Sequence, residues 1–534
     1  MSEKKVYVEE PLQEVLLEGR WQWSSGAATF RSHNASTGEP FCDEFPISTW
    51  ADCDKALNAA QRAAVALRQV PPETTAFFLD LYADKLEENS TMLCNMACYE
   101  TALWFTPRLA LAELPRTADQ LGQAAAAVRD GSWKMATIDK KLNIRSMLAP
   151  LGPVLIFGPN NFPFAFNAVS GGDFAAAIAA GNPVIAKAHP LHPITSINLA
   201  SLAHDSAKVA GFPLEAVQML YELSPADGLR MAGDPRLAAI AFTGSRAAGL
   251  ALKAAAEKTG RLFYGEMSSV NPVVILPGAM DERREQISKE FVNSSLAGVG
   301  QFCTNPGLLL LPAGEPAEAF IAAVARGFQQ DPPGVLFSAG VRDGLVNNVQ
   351  AMVDAGAAVV TGGQAVEGPG NHFQNTLLRV SAQHFLSHAD VLQREAFGNA
   401  ALAVVAQSPQ EMAAVLETLE GNLTGCIYSH TGGADDAAYD LLAPVLRQRV
   451  GRFLNDKMPT GVAVSPAMQH GGPYPAASHP HFTAVGIPAS LRRFTRLDCY
   501  DNVRPHRLPE ELRDKNPTGA MWRNVDGAWT QEDA

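Results

Sequence analysis

Between residues 51 and 130, Ala and Leu recur at three- and four-residue spacing with few glycines, which predicts a helical region. The pattern changes from residue 150. Short apolar runs (Gly152–Phe157, Pro183–Ala186, Val217–Leu220, Leu237–Phe242) alternate with helical stretches such as Phe174–Ala180 and Thr195–Val209. Strands apolar on both faces, alternating with helices, predict a parallel sheet covered by helices on each side. A second set of runs, Pro272–Leu276, Gly307–Leu311, Ala358–Thr361, Ala400–Val405 and Cys426–Ser429, predicts another α/β unit over about 270–460. Residues 1–50 read as an irregular lead-in with a turn at 34–39. Residues 455–484, rich in Pro, Gly and His, read as a long ordered loop, and the C-terminal tail as polar and peripheral. No internal repeat points to a solenoid or propeller.

Composition narrows the functional classes. The chain has 534 residues, 47% of them hydrophobic and 18% charged, which is an ordinary globular mix. A net charge of −13 argues against a broad nucleic-acid-binding face but leaves room for a local basic pocket. No signal peptide or stretch long enough for a membrane span is evident, so a cytoplasmic protein is expected. The cysteines are Cys42, Cys53, Cys94, Cys98, Cys303, Cys426 and Cys499, an odd number without a CxxC pair. Disulfide scaffolds and zinc ribbons are therefore poor readings, and no metal site is expected. Cys94 and Cys98, four apart on a predicted helix, read as buried structural thiols.

Six short segments carry chemistry. FGPNNFP at 157–163 leads from a strand through a loop to a helix, where an open α/β sheet binds ligands; an Asn amide there suits an oxyanion or simply caps the helix. FTGSRAAG at 242–249 places Gly244 and Ser245 at a helix start, suited to a pyrophosphate or to an ordinary turn. Lys187 ends a predicted strand in the same crevice. GQFCTNPG at 300–307 sets Cys303 between glycine- and proline-bounded turns, as a nucleophile or a small buried residue. Glu266 in GEMSSVNP could be a general base or a surface acid, and EAFGN at 395–399 offers Glu395 and Phe397 to a ribose and a ring.

Taken together and in this order, these segments and KAHP at 187–190 resemble the aldehyde dehydrogenase superfamily across roughly residues 30–480. HNASTGEP at 33–40 fits the resemblance. ETAL at 100–103, ELPRTADQL at 113–121 and HGGPYPA at 470–476 look most like the 2,5-dioxopentanoate (α-ketoglutaric semialdehyde) dehydrogenases.

The resemblance implies a Rossmann-type nucleotide-binding domain (1–133 and 148–265), an α/β catalytic domain (266–484), and a small β oligomerisation arm with the C-terminal tail (134–147 and 485–534). It implies a homodimer or homotetramer. Cys303 corresponds to the nucleophile, Asn161 to the oxyanion donor and Glu266 to the base that activates water. Lys187, Gly244, Ser245, Gly249, Glu395 and Phe397 correspond to the binding site for NAD or NADP. Two positions depart from the common pattern: Asn160 stands where a Trp is usual, and Pro190, preceded by His189, stands where NAD-selective members often carry a Glu. Without that carboxylate, NADP use at least equal to NAD is expected. A semialdehyde bearing a carboxylate also needs a cation, and Arg116, or second Arg108, is the candidate. The alternatives are an NADP-dependent dehydrogenase of long-chain or broad-range aliphatic aldehydes, a cofactor-free thiol hydrolase, and an inactive binding protein.

Overall fold

A computed structural model describes residues 12–534. Two seven-stranded sheets dominate it, and their apolar strands explain why. In the first, Leu262–Glu266, Ala239–Thr243, Val154–Phe157, Val184–Lys187 and Val217–Leu220 run parallel in that spatial order. All four residues of Val217–Leu220 are buried, as strands covered on both faces require. The helix Gly172–Ala179 is buried along its whole length, so it packs inside the layer rather than on the surface.

The second sheet has the order Ala358–Thr361, Thr376–Ser381, Ala400–Ala406, Leu308–Pro312, Pro272–Ile275, Asn422–Tyr428 and Val450–Asn455, parallel except at its first pair. Thr376–Ser381 and Val450–Asn455 are strands that the apolar pattern did not single out. A third sheet of five short strands joins Thr137–Asp139 and Ile144–Pro150 to Thr495–Asp501, Arg523–Val525 and Ala528–Thr530. Among the described residues, no helix is long and apolar enough to cross a membrane.

Several expectations need correction. The lead-in is partly strand: Val15–Leu17 is fully buried and pairs antiparallel with Val217–Leu220, extending the first sheet. Its turn at 34–39 is present, closed by Gly38 N–H donating to the Asn34 carbonyl at 2.7 Å; the part before residue 12 lies outside the described residues. Nor is the C-terminal tail peripheral. Arg523 is completely buried and donates to the carbonyls of Arg513, Asp514 and Glu532, tying down a small core with Ile138, Met147, Leu512 and Met521. A polar residue makes this core possible because its guanidinium satisfies carbonyls no strand partner reaches. Of the two thiols expected to be buried, Cys94 is and Cys98 is only half-buried; Cys53 and Cys426 are also buried, and Cys42 and Cys499 are exposed. Cys499 lies on the edge strand of the third sheet, whose side chains are mostly open to solvent.

Residues 267–271 cross from the first sheet to the second, and polar side chains pin the crossing. Asn422 Oδ1 accepts from the Val270 and Asn271 N–H groups at 2.8 and 3.1 Å. Asn271 has φ +48°, which Asn tolerates better than most residues. Its Oδ1 accepts from the Thr424 hydroxyl, and its Nδ2 donates to the Cys303 and Asn305 carbonyls at 2.9 and 2.8 Å. The crossing thereby holds the loop that carries Cys303. Replacing Asn271 by Ala leaves the inward-facing Cys303 carbonyl without a donor, at a cost of about 1–3 kcal/mol, while the Asn305 carbonyl keeps the Gly307 N–H at 2.9 Å. Asn271→Ala should therefore lower the thermal midpoint by several degrees; an unchanged midpoint in differential scanning calorimetry would show that the clamp contributes nothing.

Candidate active site

The carboxyl ends of the first sheet open into a cleft of about 630 Å³. Phe157, Lys187, Thr243 and Glu266 end four of its strands and all line the cleft. Parallel strands point their side-chain-bearing termini to one edge, so residues far apart in sequence meet there. Asn161, Gly244, Ser245, Cys303, Glu395 and Phe397 also line it. Gly249 and Arg116 are not in the lining. Gly249 sits one turn into the helix Arg246–Glu257, where a Cβ would lie 2.8 Å from Met267 Sδ. Its missing side chain lets the helix pack close to the crossing segment.

Ser245 caps that helix, accepting from Ala248 N–H at 3.4 Å. The helix start therefore faces the cleft with free backbone donors and the positive end of its dipole, a fit for a pyrophosphate. Lys187 Nζ donates to Glu222 Oε2 at 2.6 Å. Burial pushes the Lys187 ammonium down, and the Glu222 charge opposes the shift. The sequence pattern had no means of placing Glu222 here, because it arrives from the segment after the neighbouring strand. His189 is held well below the ordinary histidine range by burial, then by His192 and Lys187, so it is neutral beside the lysine.

The thiol loop is fixed from three sides. Gly300, at φ +68°, passes so close to Gly398 that a Cβ would fall 2.1 Å from its carbonyl oxygen, which locks the loop to the segment bearing Glu395 and Phe397. Asn161 Nδ2 donates to the Gln301 carbonyl at 3.0 Å, tying the loop to the first sheet. Asn271 holds it from the crossing. Glu395 is half-buried in the cleft wall, and desolvation raises its carboxyl to about 7 against hydrogen bonds from Ser268 and Ser269.

At the floor of the cleft, Cys303 Sγ lies 3.4 Å from His470 Nε2, and that nitrogen lies 3.2 Å from Glu266 Oε2. The second approach lacks the alignment of a hydrogen bond: among the described residues Glu266 Oε2 has no hydrogen-bond partner. Burial, then the Glu266 carboxylate, pushes the Cys303 thiol well above its usual range, so the free protein holds a thiol rather than a thiolate. The His470 imidazole nitrogen beside it is placed to take the proton when the sulfur attacks.

Sequence reasoning missed His470. It begins the HGGPYPA stretch, but no strand or helix pattern aims it, and only tertiary structure does so. Its N–H donates to Thr483 Oγ1 at 2.9 Å and its carbonyl accepts from Ala484 N–H at 2.8 Å. Ser478, further along the same loop, accepts from Gly265 N–H at 2.8 Å beside Glu266.

Two arginines stand behind this floor. Both terminal nitrogens of Arg108 are engaged, one by Glu113 and the other by the Asn161 carbonyl. Arg116 is different. Its Nε donates to Gln120 at 3.2 Å, but one terminal nitrogen is buried without a partner. Its guanidinium lies 5.2 Å over the Phe166 ring, and that ring is 5.7 Å from the His470 ring. Burial lowers the Arg116 pKa, while the Glu113, Cys303 and Glu266 charges pull the other way.

Comparison with known proteins agrees with this arrangement. The model of the aldehyde dehydrogenase family matches residues 21–441. Alpha-ketoglutaric semialdehyde dehydrogenase 2 of Azospirillum brasilense is 37% identical, over 96% of this chain and 98% of its own length. Alpha-ketoglutaric semialdehyde dehydrogenase of Acinetobacter baylyi is 32% identical, over 95% of this chain and 97% of its own. The solved structure of lactaldehyde dehydrogenase from Escherichia coli superposes with a TM-score of 0.79 at 22% identity, covering 92% of this chain and 98% of that one. Aldehyde dehydrogenase C from Pseudomonas syringae, solved as a mutant with NAD+ and octanal, gives 0.78 at 19% identity over 93% and 98%. The chain belongs to the aldehyde dehydrogenase family and oxidises aldehydes.

Proposed function

We propose that the chain oxidises 2,5-dioxopentanoate to 2-oxoglutarate with NADP or NAD. The observation that supports this reading best is the unpartnered, buried Arg116 nitrogen close behind the Cys303, His470 and Glu266 floor. A buried cation without a full set of partners is costly unless an anion completes it, and a guanidinium suits a carboxylate. The two relatives described above, whose names carry this activity, support the same substrate.

The residues then divide the work. Cys303 Sγ attacks the aldehyde carbon while His470 takes the thiol proton. Asn161 Nδ2, released from Gln301, and the Cys303 N–H donate to the oxyanion. A nicotinamide held in the cleft would supply the hydride acceptor that converts the Cys303 adduct into a thioester. Glu266 accepts a proton from water as that water attacks the thioester, and the carboxylate product departs. Lys187 and Glu395 would hold ribose hydroxyls of that cofactor, and Phe397 would line the pocket beside them. Ser245 and Gly244 present the helix start to the pyrophosphate. Under this reading residues 1–133 and 148–265 form the nucleotide-binding domain and 266–484 the catalytic domain. Residues 134–147 with 485–534 form an arm that joins subunits into a dimer or tetramer, in the cytoplasm.

Arg116→Ala should raise KM for 2,5-dioxopentanoate by roughly 10- to 100-fold, the worth of one charged hydrogen bond, and leave KM for hexanal nearly unchanged. Equal effects on both substrates would instead favour the broad-range aliphatic dehydrogenase and assign Arg116 a structural part.

Cofactor choice follows from the charges around Lys187. Pro190 leaves the ribose 2′ position without the usual carboxylate, so NADP should be used at least as well as NAD, and Glu222 is the carboxylate that pairs with Lys187 among the described residues. Glu222→Gln should therefore increase the ratio of kcat/KM for NADP over NAD. A wild-type preference for NAD that the variant does not relieve would contradict this assignment.

A further inference from the structure

We propose that Cys303, His470 and Glu266 also form a binding site for a soft divalent cation of the zinc class, and that the bound ion silences the enzyme reversibly. The inhibitory part rests on the role proposed for Cys303; the binding part rests on geometry alone. One thiolate, one imidazole nitrogen and one carboxylate oxygen make a donor set that zinc takes readily. The three atoms all lie within 4.8 Å of one another. Bond lengths of about 2.0–2.3 Å at tetrahedral angles put neighbouring donors about 3.3–3.6 Å apart. The Sγ to Nε2 distance is 3.4 Å and the Nε2 to Oε2 distance 3.2 Å, so the donors are already close to the required spacing.

The donors are also held in place before any ion arrives. Glu266 ends a sheet strand, His470 is fixed by its backbone bonds to Thr483 and Ala484, and Cys303 is held by Asn271. Glu266 Oε2 is buried and has no hydrogen-bond partner among the described residues, which is independent of the spacing argument. Without a cation, a thiolate would sit beside a carboxylate in a buried site. A divalent ion cancels both charges. On binding, the Cys303 S–H bond breaks, its proton goes to solvent, and a sulfur–metal bond forms; nothing is oxidised or reduced. Three protein ligands leave a fourth position for water on the cleft side. Because the metal occupies the sulfur lone pair, it and the aldehyde exclude one another.

Cobalt(II) is the probe. Titrated into the full-length, cofactor-free protein, it should bind one equivalent. That complex should show a thiolate-to-cobalt charge-transfer band in the near ultraviolet and the intense visible bands of a four-coordinate ion. Cys303→Ser should abolish the charge-transfer band. His470→Asn should weaken binding by about tenfold or more while its circular dichroism spectrum and thermal midpoint match the wild type, which shows that the variant is folded. Zinc should inhibit aldehyde oxidation, and a chelator should restore it. No binding, binding without the charge-transfer band, or affinity unchanged in His470→Asn would overturn the proposal, as would a band that persists in Cys303→Ser through exposed Cys42 or Cys499. Cobalt binding without any wild-type aldehyde oxidation would fail the proposed function and leave the metal site standing.

Discussion

The hydrogen bonds from Asn271 to the Cys303 and Asn305 carbonyls are the constraint on which the site depends. They join the end of the first sheet, where Glu266 sits, to the loop that carries the thiol. Together with the Asn161–Gln301 bond, they give Cys303 from one α/β unit and Glu266 from another a common frame. Asn422 and Thr424 extend the clamp into the second sheet, so the spacing between base and nucleophile is set by buried amides rather than by the flexible ends of side chains. Positioning of this kind is worth more to a reaction than any single contact with substrate.

Electrostatics explains why the thiol needs help. The half-buried Cys303 thiol lies beside an acid, and desolvation with that charge favours the neutral thiol. The same carboxylate is positioned to deprotonate water later in the cycle. His470, between the two, lets one buried cluster serve an attack that needs a thiolate and a hydrolysis that needs a base.

Much of this was legible in the sequence because parallel α/β architecture writes itself locally. Each strand is a short apolar run, and each run's end marks the cleft edge, so Phe157, Lys187 and Thr243 could be placed by pattern alone. Glu266, Cys303 and Glu395 stood out because glycines and prolines break the pattern around them. His470 and Glu222 were not legible. Both reach the site from segments with no periodic signal, fixed by contacts to residues distant in sequence such as Thr483 and Lys187. Val15–Leu17 is too short to register as a strand, and it gains its identity by pairing with Val217–Leu220. In the C-terminal tail a buried Arg523 replaces the apolar core that pattern reading looks for.

The central claim is that carbon is transferred to Cys303 before water, activated by Glu266, releases it. Intact-protein mass spectrometry of Glu266→Gln, mixed with cofactor and 2,5-dioxopentanoate and quenched in acid, tests it directly. The account predicts an added mass equal to the 2-oxoglutaryl group, carried on the Cys303 peptide and absent from the Cys303→Ser variant. Reduced cofactor formed with no covalent adduct, or an adduct on any other residue, would contradict it.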